Sequence, residues 1–469
     1  MTVTMRVLAP AMSSREPHPT TYRTQRERWQ RLRRPAPVIL RIPSSPESLF
    51  AAEFYQTLVD LHLHHTWFSF VPAMLGGHAA TDAAAKAVMK VHTLSNPATS
   101  QCRDKIIAQG DNSYGKAIAA LRSSLDDSDS ALVSVGLLSL YEVLMRSQPQ
   151  AYFWHAGGLS AMLLSRRKTG STNELTRAIV YGDTHGTFQK PLTKGVASPF
   201  DDPFWFDLEP ATFVETSDET KRLRKLGNQL LIRLPGLVAR VRALRQRSVK
   251  GSFEQYFSQT AEVADQLLDL RDDRAETELL RRVAVRETRD PFDKAVVPYS
   301  FHHFASSYDK ETLLIYWGGR LMAIRLCMEL DRLSHQTISN PATAARPVSA
   351  HVEGVAGAPA VRAWDHKGML DEQERITMSI LMCWEDGLGQ ANPLCMVWGA
   401  LIDKSTFRGK PAAIVRTWVW TRYQESLAGW PVKYTMRMMD EESEALAGGP
   451  LLWWLRDMVV PDGVEVDNG

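Results

Sequence analysis

YGKAIAALRSSLDDSDSALVSVGLLSLYEVLM, residues 114–145, is helical in its spacing at both ends and interrupted once. Tyr114, Ile118, Leu121 and Leu125 fall at i, i+4, i+7 and i+11, the repeat of one helix face. Asp126, Asp127, Ser128 and Asp129 break the pattern and supply oxygen atoms that cap a helix start. A second apolar stripe then runs through Leu132, Val135, Leu138 and Tyr141. Two helices joined by a short polar turn predict an antiparallel hairpin. Residues 151–167 read as a third helix with Trp154, Leu159, Met162 and Leu163 on its apolar side. Gly157 and Gly158 lie inside it, where each glycine costs ~1 kcal/mol against alanine. A close helix–helix approach is the expected reason for them.

Helical spacing continues outward in both directions. Ser44 with Glu47 three residues on makes a capping box, and Leu49, Phe50, Phe54, Leu58 and Leu61 follow on one face. Helices are predicted over 173–181, 218–247, 253–287, 309–333, 371–385, 393–403, 411–427 and 450–458. Pro235-Gly236 is expected to break or kink the long helix at 218–247. Residues 191–210 read as a loop anchored by Phe204, Trp205 and Phe206. Residues 336–363, rich in Ala, Pro, Ser and Val, read as an exposed loop. No alternating strand pattern and no fixed-length repeat emerges. The predicted fold is all-α, with stacked helix hairpins forming one large bundle or irregular solenoid over 47–458, and a C-terminal tail at 459–469.

Composition agrees with a folded chain and narrows its chemistry. The 469 residues are 44% hydrophobic and 23% charged with a net charge of +2, so nucleic-acid affinity has to come from a local patch. Residues 1–41 supply one: nine arginines against Glu16 and Glu27, a net +7. Their Pro, Ser and Thr content predicts a disordered basic arm over 1–46. Arg23, Arg26, Arg28, Arg31, Arg33 and Arg34 can pair with phosphates, with Tyr22 and Trp29 interleaved for stacking. The same arginines suit a nuclear import signal, a solvated tail or a mitochondrial leader. Four scattered cysteines, Cys102, Cys327, Cys383 and Cys395, exclude a disulfide framework, and Cys327 and Cys383 read as buried thiols. No run of about 18 apolar residues predicts a membrane span.

Chemistry-bearing clusters are sparse. His62, His64 and His65 near Asp60 are conceivable metal ligands, but an exposed polar helix end is the favoured reading. His155 reads as a packing histidine rather than a base. Asp183-Thr184-His185 lacks a nucleophile in an elbow context, and no phosphate-loop, dinucleotide or zinc-protease motif is present. Trp418, Trp420, Trp453 and Trp454 read as core aromatics before base-stacking ones.

Three pieces in one order carry a resemblance: Tyr114 to Leu121, then Tyr141-Glu142, then Trp154-His155-Ala156-Gly157-Gly158 with Arg166. Together they resemble the fungal-specific regulatory domain of binuclear zinc-cluster transcription factors. Ser198-Pro199-Phe200 with Trp205, and Tyr316-Trp317 in a long helix, fit the same pattern. The likeness spans about residues 45–430 and is sharp over 113–166. The family's motif maps onto Tyr114, Leu121, Tyr141, Glu142, His155, Gly158 and Arg166 as structural residues. It implies a nuclear transcription regulator, often of a metabolic or secondary-metabolite gene set, with no catalytic residue. It implies a helical body that takes a small-molecule effector or protein partner and contacts the transcription machinery. DNA contact would run through the basic arm or a dimer partner. The family's zinc is held by six N-terminal cysteines, and no cysteine here precedes Cys102. Zinc is therefore expected only if such a module precedes this sequence, and no cofactor is expected in the chain itself. The alternatives are a helical enzyme of another type and a basic-armed mitochondrial or scaffold protein.

Overall fold

The computed structural model describes residues 46–452 except 61–65, 95–101, 124–127, 146–148, 171, 183–184, 212–215, 305, 340–363, 385–392, 403 and 427–434. The basic arm and its arginines, Ser44, Leu125, Asp126, Asp127, the His62–His65 group, Asp183-Thr184 and Trp453-Trp454 lie outside them. The chain divides into a unit at 1–49, described only in the first turn of α1 (Pro46–Asp60), and a unit at 50–469.

The second unit is helical nearly throughout, as the apolar periodicity requires. A 3-10 stretch (Thr66–Met74) precedes α2 (Ala79–Leu94), α3 (Arg103–Ser123), α4 (Asp129–Met145), α5 (Pro149–Thr169) and α6 (Glu174–Gly182). A π turn at His185–Gln189 leads to the short α7 (Lys190–Lys194) and α8 (Pro203–Phe206). Then come α9 (Asp218–Arg245), α10 (Phe253–Leu268), α11 (Asp273–Arg281), α12 (Pro291–Val296) and α13 (Ser307–Ser339). The last helices are α14 (His366–Met382), α15 (Leu394–Leu401), α16 (Ala412–Ser426) and α17 (Met436–Leu446).

Two hydrophobic cores form. The first gathers Phe54, Trp67, Val88, Leu132, Leu138, Leu163 and Ile179, with Phe200 and Trp205 sealing it. The second is built on α9 and α13 from Leu230, Leu234, Leu237, Trp317, Leu321 and Ile324. Helix α9 serves both, because Ile232 faces the first core while its leucines face the second. Four tryptophans around the second core each donate an indole N–H to a carboxylate: Trp317 to Glu276, Trp364 to Asp265, Trp398 to Asp440 and Trp418 to Asp293, all at 2.7–2.8 Å. Apolar bodies are buried there while each polar edge keeps a partner. Trp418 is thus a core residue, and Trp420 packs half-buried against the same core.

Several expectations are corrected. Helices α3 and α4 follow one another as predicted, but each packs against α2 far more than against the other, so α2 is the main partner of both in a three-helix layer and the expected hairpin is not the packing unit. Ala84, Ala85 and Ala87 leave α2 thin enough to fit there. Ser128 caps α4, its hydroxyl accepting from the Ala131 amide at 3.2 Å. The long helix does not break at Pro235-Gly236: α9 runs unbroken from Asp218 to Arg245, and packing on both cores outweighs the ~3 and ~1 kcal/mol that proline and glycine cost inside a helix. The predicted single helix over 253–287 is two, α10 and α11, separated at 269–272 and ending at Arg281, and Ala284–Glu287 forms strand β1, paired antiparallel with β2 (Tyr299–His302). A second minimal pair joins β3 (Thr406–Phe407) and β4 (Lys410–Pro411). Residues 336–339 of the expected 336–363 loop belong to α13 and the rest of it lies outside the described residues, the 191–210 loop holds α7 and α8, and residues 447–452 are not helical where a helix was predicted from 450. Trp154, placed on the apolar stripe, is 54% exposed.

Candidate functional site

The motif residues come together where α3, α4 and α5 meet. Tyr114 on α3 stacks on Tyr141 of α4, with ring centroids 5.1 Å apart and an interplanar angle of 29°. His155 of α5 meets Tyr114 edge-on, and its Nε2 lies 2.8 Å from the Tyr114 hydroxyl. Glu142 hydrogen-bonds Tyr114 as well. In the bond between Tyr114 and His155, either the Tyr114 hydroxyl or the His155 Nε2–H can be the donor, according to the imidazole tautomer. Tyr141 donates to Asp111 Oδ1 at 2.8 Å. Gly110 makes room for this: a Cβ there would stand 2.9 Å from the Tyr141 hydroxyl oxygen.

The electrostatics keep the imidazole and both phenols of this cluster neutral. Burial pushes His155 down to about 4. Burial, and then the neighbouring carboxylate, push the Tyr114 and Tyr141 hydroxyls well above the ordinary tyrosine range. None of the three changes charge near neutral pH, and a general acid or base works best with its pKa near the operating pH. The set is suited to tying three helices together, and Lys190, its ammonium depressed by burial and then by Lys194, lies directly over Gly157.

Arg166 forms a second tie. It is 2% exposed and donates to Asp129 Oδ1 at 2.6 Å and to Thr176 Oγ1 at 3.0 Å. Asn173 also donates to Asp129 and caps α6 by accepting from the Thr176 amide. The start of α4, the end of α5 and the start of α6 are thus pinned at one point. Leu121 is buried in the first core. Gly158 departs from its predicted role, since a Cβ there would stand 3.9 Å from Val135, an ordinary contact. Elsewhere in this layer Gly110 and Gly136 are closely approached, the latter by the Trp67 ring at 3.1 Å. Sequence reasoning missed Asp111, Lys190 and Asn173. Only Asn173, a capping residue before an apolar run, carried a local signal.

One further concavity opens elsewhere. Arg233, Gly236, Leu237 and Arg240 lie at i, i+3, i+4 and i+7 of α9 and form one wall of a half-open cleft of about 420 Å³, closed by Asp201 and by Tyr256 of α10. The face repeats helically, but its partners come from two other segments, so no single stretch announces it. Among the described residues no group of three or more His, Cys, Asp or Glu is placed to hold a metal. No described helix is long and apolar enough to cross a membrane. Burial raises the Cys327 thiol, and Cys383 is buried with it, as their apolar neighbours predicted.

No protein-family model, curated protein or solved structure matches this chain.

Proposed function

We propose that the chain is a nuclear transcription regulator whose helical body is a control module. The observation that supports this most directly is the convergence of Tyr114, Tyr141, Glu142 and His155, three separated motif pieces, into one hydrogen-bonded set joining α3, α4 and α5. Their order along the chain carries the resemblance to the fungal zinc-cluster regulators, and their contacts give that order a physical purpose. In this reading the helices transmit and the cluster does no chemistry. A ligand or protein partner held better by one helix arrangement than another shifts the balance between them. DNA contact, through the arginines at 23–34 or a dimer partner, contact with the transcription machinery, and control of a metabolic gene set belong to the same proposal. So does zinc, required only if a six-cysteine module precedes this sequence.

The test fuses the full chain to an unrelated sequence-specific DNA-binding domain and reads a reporter carrying its site. The reading expects reporter output to rise or fall against the DNA-binding domain alone. It also expects the change to be lost when Leu138→Asp disrupts the first core. Output equal to that of the domain alone, from a fusion shown to be present and nuclear, would overturn it.

A further inference from the structure

The cleft beside α9 has the make-up of a small-molecule site. Its volume of about 420 Å³ lies within the roughly 300–1,000 Å³ common for ligand pockets. Two arginines face one aspartate across it, leaving an excess positive charge. Arg233 is already engaged, donating to Gln266 Oε1 at 2.6 Å and lying 5.4 Å from the Phe206 ring centroid. Arg240 is not: among the described residues it makes no hydrogen bond or ion pair, and its guanidinium sits 5.8 Å from the centroid of the Tyr256 ring. The Asp201 carboxylate likewise accepts no hydrogen bond among the described residues, while burial raises its pKa and Arg233 and Arg240 oppose that rise. Donors and acceptor are thus left facing a shared space beside the Tyr256 ring.

The helix itself is shaped for this space. Gly236 lies in the wall, and a Cβ there would stand 3.3 Å from Asp201 Oδ2 and 3.5 Å from the Ala197 Cβ. Proline followed by glycine is a poor choice within a helix of this length, and no helix neighbour closes on Gly236 to demand it. What the glycine keeps open is the cleft.

We propose that this cleft binds a small organic anion, with a carboxylate or phosphate on the Arg240 and Arg233 guanidinium groups, a hydrogen-bond donor on the same molecule facing Asp201, and a flat ring against Tyr256. The arginine fork suits either oxyanion. The inference deepens the regulatory reading by giving its effector a place and a chemistry, and it rests on that reading only for the effector's role. It is tested by binding in vitro, whereas the regulatory reading is tested by reporter output, so each can fail alone.

The experiment is isothermal titration of the purified full chain with 4-hydroxybenzoate, 4-hydroxyphenyl phosphate, inorganic phosphate and neutral 4-hydroxybenzamide. Saturable binding of 4-hydroxybenzoate or 4-hydroxyphenyl phosphate is expected, and whichever binds more tightly identifies the oxyanion. Because the charged contact is the strong one, the neutral amide and the Arg240→Met variant should each bind about tenfold more weakly or worse. Gly236→Ala should lose binding while its melting temperature without ligand holds or rises, since alanine favours the helix. That pairing separates an occluded cleft from an unfolded protein. Absence of saturable binding by every probe up to about 10 mM, a range that covers very weak sites, would overturn the proposal. So would equal binding by wild type and both variants. Inorganic phosphate binding as tightly as the ring-bearing anions would do the same, because the cleft would then read charge alone.

Discussion

Protonating His155 should loosen the hairpins, and its size can be worked out. The imidazole is held near 4 in the folded protein by burial, against about 6.5 for an ordinary histidine. Between those values the unfolded chain binds a proton that the folded chain does not, so stability rises with pH across that window. The contribution is complete above about pH 6.5 and is lost as pH falls towards 4. At about pH 5 the loss from this one group is ~2 kcal/mol, and at about pH 7.5 it is negligible. Other carboxylates also respond to acid, so the test is a difference. Urea denaturation of wild type and His155→Gln is compared at about pH 7.5 and pH 5. Glutamine keeps a donor for Tyr114 but cannot take the proton. The stability gap between the two proteins should shift by ~2 kcal/mol in favour of the variant on going to the lower pH. A gap that stays constant across this range would refute the claim that the imidazole is buried, neutral and bonded to Tyr114.

Three further outcomes follow from other contacts. Glu276→Ala should cost about 2–4 kcal/mol in urea denaturation, because it orphans the buried Trp317 indole N–H while the half-exposed Arg375 regains water. Gly110→Ala should destabilise by about 1–2 kcal/mol despite the better helix propensity of alanine, since its Cβ meets the Tyr141 hydroxyl oxygen at 2.9 Å, and pairing it with Tyr141→Phe should recover part of the loss in the same assay. Leu138→Ala empties a fully enclosed site in the first core and should lower stability by about 2–5 kcal/mol, read by the same denaturation.

The all-helical architecture was legible because large apolar residues recur at helical spacing wherever a helix buries one face. α3, α4, α5, α9 and α13 were each placed that way, their ends displaced where the chain turned out longer. Helix α2 escaped because its buried positions are mostly alanines, which give almost no periodic signal. Helix α17 escaped because its polar residues outnumber its buried ones, although Thr435, accepting from the Met438 amide at 3.2 Å, was a cap waiting to be seen. The strands are too short for an alternating pattern to register. Pro235-Gly236 read as a break because local cost is visible in sequence while the packing that outweighs it is not.

The candidate site was legible by residue and not by arrangement. Tyr114, Tyr141, Glu142 and His155 were singled out by their order, but nothing in that order revealed that the tyrosines stack or that Asp111 receives the Tyr141 hydroxyl. Of the two glycines of α5 only Gly157 is closely approached, by the Lys190 side chain rather than by a helix, while Gly110 and Gly136 meet the side chains of Tyr141 and Trp67. The cleft at Arg240 and Asp201 draws on three segments well apart in the chain, so only folding brings its charges together.

The claim that these helices regulate is tested most directly by transcript profiling of the source organism with this gene deleted, and again after the wild-type gene or a Leu138→Asp variant is restored. The account predicts a defined set of transcripts that shifts on deletion, returns with the wild type and fails to return with the variant. A profile unchanged by deletion under every condition in which the gene is expressed would contradict it.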